Sequence, residues 1–108
     1  MKVYEIRPQR FGEDAVAKEV RYIVATARAG HERVLCLDCR ACSAYLCTAV
    51  RHALSTLKKD GIIELYFPAS RFLPEKDQGA AFLLSRDPDA ATEPLLAERL
   101  DGVFAVSL

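Results

Sequence analysis

The sequence predicts an α/β fold: a compact two-layer βαβαβ-type sandwich with a mixed sheet of mostly parallel strands and a C-terminal helix-strand extension. Three observations carry this. Short apolar runs alternate with two longer stretches in which apolar residues recur every three or four positions. The joints between them are short and marked by Gly30, Gly61 and Pro68. The 108 residues, 51% hydrophobic and 28% charged, suit one core and one domain and exclude a disordered chain.

The first strand is Lys2 to Ile6, where Val3 and Tyr4 supply β-propensity, and Pro8 stops it. Gly12 opens a helix with Glu13 and Asp14 in its first turn, where the helix dipole favours anions. Val16, Val20, Ile23, Val24 and Ala27 form its buried stripe, and Gly30 ends it. The second strand, Arg33 to Leu37, is nearly all apolar, as a strand covered on both faces would be. A second helix runs from about Ser43 to Lys59 on the stripe Leu46, Val50, Ala53, Leu54 and Leu57. Lys58 and Lys59 complement its C-terminal dipole and Gly61 caps it. Ile62 to Phe67 is the third strand.

Residues 74–85 read either as a helix from Pro74 or as a strand over Gly79 to Ser85, and the strand is preferred. A short helix over Pro94 to Leu100 and a strand over Val103 to Ser107 close the chain. One domain thus spans residues 1–108, with its core at about 2–85 and the extension at about 86–108. The terminal strand would be an exposed edge if unpaired, so a homodimer through it is an expected association.

No apolar run is long enough to span a bilayer, and Met1 to Glu5 lacks the marks of a signal peptide. A cytoplasmic location and no membrane partner are expected. The net charge is zero, which argues against strong non-specific nucleic-acid binding. The charge is uneven, however. Residues 1–60 hold 11 Lys/Arg against 7 Asp/Glu, and residues 61–108 hold 4 against 8. The first half therefore leaves room for a local basic patch.

All four cysteines fall between residues 36 and 47. Their spacing, C-x2-C-x2-C-x4-C, is near that of an iron–sulfur run. Cys36 lies in an apolar strand and Cys47 in a helix, so four thiolates would not converge, and neither a metal nor another cofactor is expected. Cys39 and Cys42 stand differently. They form a Cys-x-x-Cys at a strand-to-helix joint, where a helix start and Arg40 would lower a thiol pKa, so they are the redox candidates. The competing reading makes them incidental small hydrophobes. The turn Asp38-Cys39-Arg40-Ala41-Cys42-Ser43 also follows the carboxyl end of a strand, where α/β sheets bind ligands.

Several stretches taken together resemble a known family. They are Ala29-Gly30-His31-Glu32-Arg33-Val34, the helix segment Leu46 to Leu57, Tyr66-Phe67-Pro68-Ala69, and the glycine-led run Gly79 to Leu84. In order and length, over residues 2–85, they are similar to the small MutS-related (Smr) domain. That resemblance implies nucleic-acid binding, to RNA or DNA, which several members of the family cleave. The family's Leu-Asp-x-His motif falls on Tyr4-Glu5-Ile6-Arg7, and its His-Gly-x-Gly motif on Asp38-Cys39-Arg40-Ala41. Both histidines and both glycines are replaced. The groups suited to proton transfer near neutral pH and to close backbone approach to phosphate are thereby removed. The resemblance then implies lost or altered nuclease activity. Glu5 and Asp38 are the catalytic candidates, as carboxylates able to hold Mg²⁺. The plain alternatives are a solvated strand residue and a helix N-cap. Arg7, Arg10, Arg40 and Arg51 are the expected phosphate contacts. A protein–protein adaptor is the blandest alternative function.

Overall fold

The computed structural model describes residues 1–7 and 13–108. Arg10, together with the expected break at Pro8 and helix start at Gly12, lies outside the described residues. The elements are β1 (Lys2–Glu5), α1 (Glu13–Ala29), β2 (Val34–Asp38), α2 (Ala44–Lys59), β3 (Leu65–Pro68), α3 (Gln78–Arg86), α4 (Pro94–Ala97) and β4 (Val103–Ser107). Short 3-10 turns at Ala69–Arg71 and Pro88–Thr92 complete the described chain.

The fold is mixed α/β around a four-stranded sheet of order β1-β2-β4-β3. β1 pairs with β2 in parallel, whereas β4 runs antiparallel to both β2 and β3. The expectation of mostly parallel strands is therefore corrected: one of the three pairings is parallel. The reason is the placement of β4. It slots between β2 and β3, which run in the same direction, and separates them with a strand of the opposite sense.

The same placement corrects two further expectations. β4 is hydrogen-bonded on both sides and buried along its whole length, so it offers no free edge for a homodimer. The last strand is also the centre of the core rather than an extension of it. Alternation along the two middle strands feeds both faces of the sheet. Leu35, Leu37, Phe104 and Val106 enter one apolar cluster with α1 and α2. Val34, Cys36, Val103 and Ala105 enter another with Phe67, Leu83 and Leu96. Helical layers thus cover both faces, and the two-layer expectation gives way to three layers.

The preferred fourth strand at Gly79 to Ser85 is a helix, α3. Asp77 N-caps it, its carboxylate accepting from Ala80 N–H at 3.1 Å. Ala80 and Leu83 face the core, and the segment is rich in Ala and Leu, strong helix formers, with no β-branched residue. The two long helices end alike, each with the paired hydrogen bonds of a Schellman motif. Gly61 takes the left-handed position after α2, at φ +74°. After α1 that position falls to His31, at φ +60°, one residue beyond the expected Gly30. Among the described residues, no helix is long and apolar enough to cross a membrane.

Candidate functional site

The first candidate is the turn at the carboxyl end of β2. Parallel register sets Glu5 of β1 opposite Asp38 of β2, so the two catalytic candidates do come together. Asp38, however, is not a free carboxylate. Arg40 grips it in bidentate fashion, Nε donating to Oδ1 and Nη2 to Oδ2, both at 2.9 Å. The Arg40 backbone N–H adds a third bond to Oδ1 at 3.1 Å. These bonds, the guanidinium above all, hold the Asp38 carboxyl below its usual pKa against the opposing effect of burial. Asp38 is not the N-cap of α2 either. That role belongs to Ser43, whose Oγ accepts from Leu46 N–H at 3.2 Å.

Arg7 and Glu5 stand nearby as an exposed pair at 3.9 Å. The strand end therefore carries two carboxylates and two guanidiniums that offset one another. A metal held by Glu5 and Asp38 would compete with the Arg40 guanidinium, which engages both Asp38 oxygens. Among the described residues, no group of three or more His, Cys, Asp or Glu is arranged to hold a metal ion. The turn is also clamped from below. Cys39 N–H donates to Gly102 O at 2.7 Å. Gly102 has φ +80°, and a Cβ there would lie 3.3 Å from Arg40 Cα.

The thiols run against the redox expectation. Cys39 is fully buried in the α1–α2 cluster, and burial, followed by the neighbouring Cys42 and Cys47, pushes its thiol well above the ordinary range. Burial likewise raises Cys42, whose Sγ donates to Ile6 O at 3.4 Å. Cys36 is pushed up to about 12, mainly by burial, as a core residue should be. The helix start gives little help, because α2 begins only after its cap at Ser43. The Arg40 guanidinium is engaged with Asp38 instead.

The second candidate lies between α2 and edge strand β3. A cleft of about 660 Å³ is lined by Arg51, Lys58, Lys59 and Arg71, with Ser55, Tyr66 and Pro68. Among the described residues, four cations line it and no carboxylate does. Arg51, Ser55, Lys58 and Lys59 follow the i, i+4, i+7, i+8 pattern of one helix face. Arg51 lies over the Phe104 ring, 5.8 Å from its centroid, in cation–π geometry. The Ser55 and Tyr66 hydroxyls are hydrogen-bonded to each other, and either can donate. Arg71 arrives from the turn after β3 and is tied to Asp77 at 3.2 Å.

Of the expected phosphate contacts among the described residues, only Arg51 lines this cleft. Arg7 and Arg40 stay at the strand end with their carboxylates. Lys58, Lys59, Arg71, Ser55 and Tyr66 were not singled out from the sequence as ligand-binding residues. One signal was available: α2 carries Arg51, His52, Lys58 and Lys59 and no acidic residue at all. No protein-family model, curated protein or solved structure matches the chain.

Proposed function

We propose that the chain is a diverged Smr-like domain that binds nucleic acid through the α2–β3 cleft, with the nuclease chemistry lost or altered. One observation carries this reading: among the described residues, four cations from two separate elements line one cleft with two hydroxyls and no carboxylate. Such a surface supplies the sequence-independent phosphate attraction on which nucleic-acid affinity rests. Long cationic side chains pointing at water are ordinary singly. Arg51 braced on Phe104 and Arg71 braced on Asp77 are instead held in place, which lowers the entropy lost on binding.

The strand end supports the second half of the proposal. A general base needs a pKa near the working pH and room to reach a proton. Asp38 has a lowered pKa and both oxygens engaged. The positions that hold histidine in the family are Arg7 and Asp38 here. The test is binding of single- and double-stranded oligonucleotides over a salt series. The expected result is a linear fall of log affinity with log salt, with a slope of about −2 to −4 for the few phosphates this cleft can hold. Absent binding at low ionic strength, or binding that ignores salt, overturns the proposal.

A further inference from the structure

The basic cleft has limits. At one end of α2 the strand-end turn is charge-balanced, Asp38 with Arg40 and Glu5 with Arg7. Beyond the other end come Asp60, the C-cap of α2, and Glu64, which accepts from Arg86 at 2.6 Å. At the rim, Asp77 pairs with Arg71. Among the described residues, carboxylates thus stand near both ends of α2 and beside Arg71.

A surface that follows the middle of a nucleic-acid strand needs cations spaced along a path, because each phosphodiester brings one charge. Here the cations are gathered. Arg51, Lys58 and Lys59 fall within about 12 Å of helix rise, and Arg71 lines the same cleft from a different element. Between them, the Ser55 and Tyr66 hydroxyls share one hydrogen bond. Two hydroxyls joined by one bond keep one O–H free to donate. A pocket of this kind suits a group that concentrates charge and acceptor oxygens at one point. A phosphomonoester brings roughly two negative charges near neutral pH and three strong acceptor oxygens.

We infer that the cleft holds the phosphorylated end of a nucleic-acid strand, with the terminal phosphate among Arg51, Lys58, Lys59 and Arg71 and the Ser55–Tyr66 pair donating to it. This inference rests on the nucleic-acid reading above. The test titrates the whole chain with one internally labelled single-stranded oligonucleotide in three forms: 5′-phosphorylated, 3′-phosphorylated, and hydroxyl at both ends. The matching nucleoside monophosphate serves as competitor.

One phosphorylated form should bind about tenfold tighter than the hydroxyl-ended strand, the scale of one charge-assisted hydrogen bond. Lys58→Gln with Lys59→Gln should remove most of that preference. Tyr66→Phe, which keeps the ring and drops the hydroxyl, should narrow it about threefold. Equal binding of all three forms overturns the end preference and leaves nucleic-acid binding standing. Failure of every form to bind at low salt removes both. A preference that survives the lysine pair and Tyr66→Phe overturns its placement in this cleft. A nucleoside monophosphate that competes as well as the phosphorylated strand also overturns it, because the ligand is then a free nucleotide.

Discussion

The strand-end turn and the α2–β3 cleft both carry arginine, and they use it in opposite ways. At the turn each guanidinium has a carboxylate beside it: Arg40 on Asp38 with two bonds of 2.9 Å, and Arg7 near Glu5. In the cleft, among the described residues, no carboxylate lies within ion-pair distance of Arg51, Lys58 or Lys59, and Arg51 rests on an aromatic face instead. The first arrangement consumes its charge in holding the backbone. The second leaves the charge of Arg51, Lys58 and Lys59 available to a ligand, with Arg71 alone shared with Asp77. The excess of cations in residues 1–60 says less than where the carboxylates fall, because the turn inside that basic half is neutral.

The comparison breaks most sharply at Gly102, which belongs only to the turn. Gly102→Val puts a β-branched residue at φ +80° with its Cβ 3.3 Å from Arg40 Cα. Strain and crowding together should cost about 2–4 kcal/mol, read as a lower urea midpoint. The folded fraction should bind oligonucleotide as before. An unchanged midpoint would show that the turn does not need this clamp. The cleft should behave in reverse. Lys58→Gln with Lys59→Gln should lower affinity about tenfold at low salt and flatten the salt slope by about 1–2. Stability should fall by only about 0.5–1 kcal/mol, because both lysines are exposed and contribute to the fold mainly through the dipole of the last turn of α2. Arg7→Gln is the matched control at the other region. With its charge already offset by Glu5, it should change affinity less than about twofold. Equal losses for the lysine pair and Arg7→Gln would sink the distinction between the regions.

Much of the fold was legible in local pattern. The stripe of α2 and its Gly61 exit are found where expected, and β4 spans the expected Val103 to Ser107. What local pattern missed depends on strand order. Nothing in Val103 to Ser107 says which strands will flank it, and that choice sets the antiparallel pairs and closes the β4 edge. The error at α3 was different. A short apolar run fits strand or helix, and Asp77 at the cap position was the signal that decided for helix. β3 starts at Leu65 rather than Ile62, because the backbone N–H groups of Ile62 and Ile63 both close the end of α2 on Leu57 O. For the site, Asp38 and Arg40 were singled out for separate roles, a catalytic candidate and a phosphate contact. Their mutual capture needs a turn geometry that spacing does not specify. The cleft joins α2 to Arg71, twelve residues beyond its last lysine, so only the folded chain assembles it.

The thiols sharpen the comparison from inside the turn. A Cys-x-x-Cys activated by a helix start should react faster than a free thiol at neutral pH. Cys39 and Cys42 should react more slowly, since burial raises both pKa values and leaves little thiolate. A thiol-reactive dye at pH 7.5, followed against glutathione, checks this. Cys39 should be labelled only on unfolding, and Cys42, half-buried, ahead of it. Fast labelling of Cys39 in the native protein would restore the redox reading and make the turn a chemical site.

A further effect belongs to Asp38 itself and depends on pH. Its folded pKa is lowered, chiefly by Arg40, so the carboxylate stabilises the fold fully above its unfolded pKa. That stabilisation is lost as pH falls through the lower folded value. Asp38→Asn keeps the side chain's shape and one acceptor oxygen for the Arg40 backbone N–H but loses the charge. At pH 7 it should cost about 1 kcal/mol, because Arg40 is half-exposed and solvent screens the pair. The gap between Asp38→Asn and the parent should shrink as pH falls below the ordinary carboxylate range, because the parent then loses the same interaction by protonation. Denaturation midpoints from pH 7 down to pH 3 measure it. A gap that widens toward acid would mean Asp38 is protonated more readily in the folded chain than in the unfolded one. In that case Arg40 is not its partner in solution, and its guanidinium would be as available to a phosphate as those in the cleft.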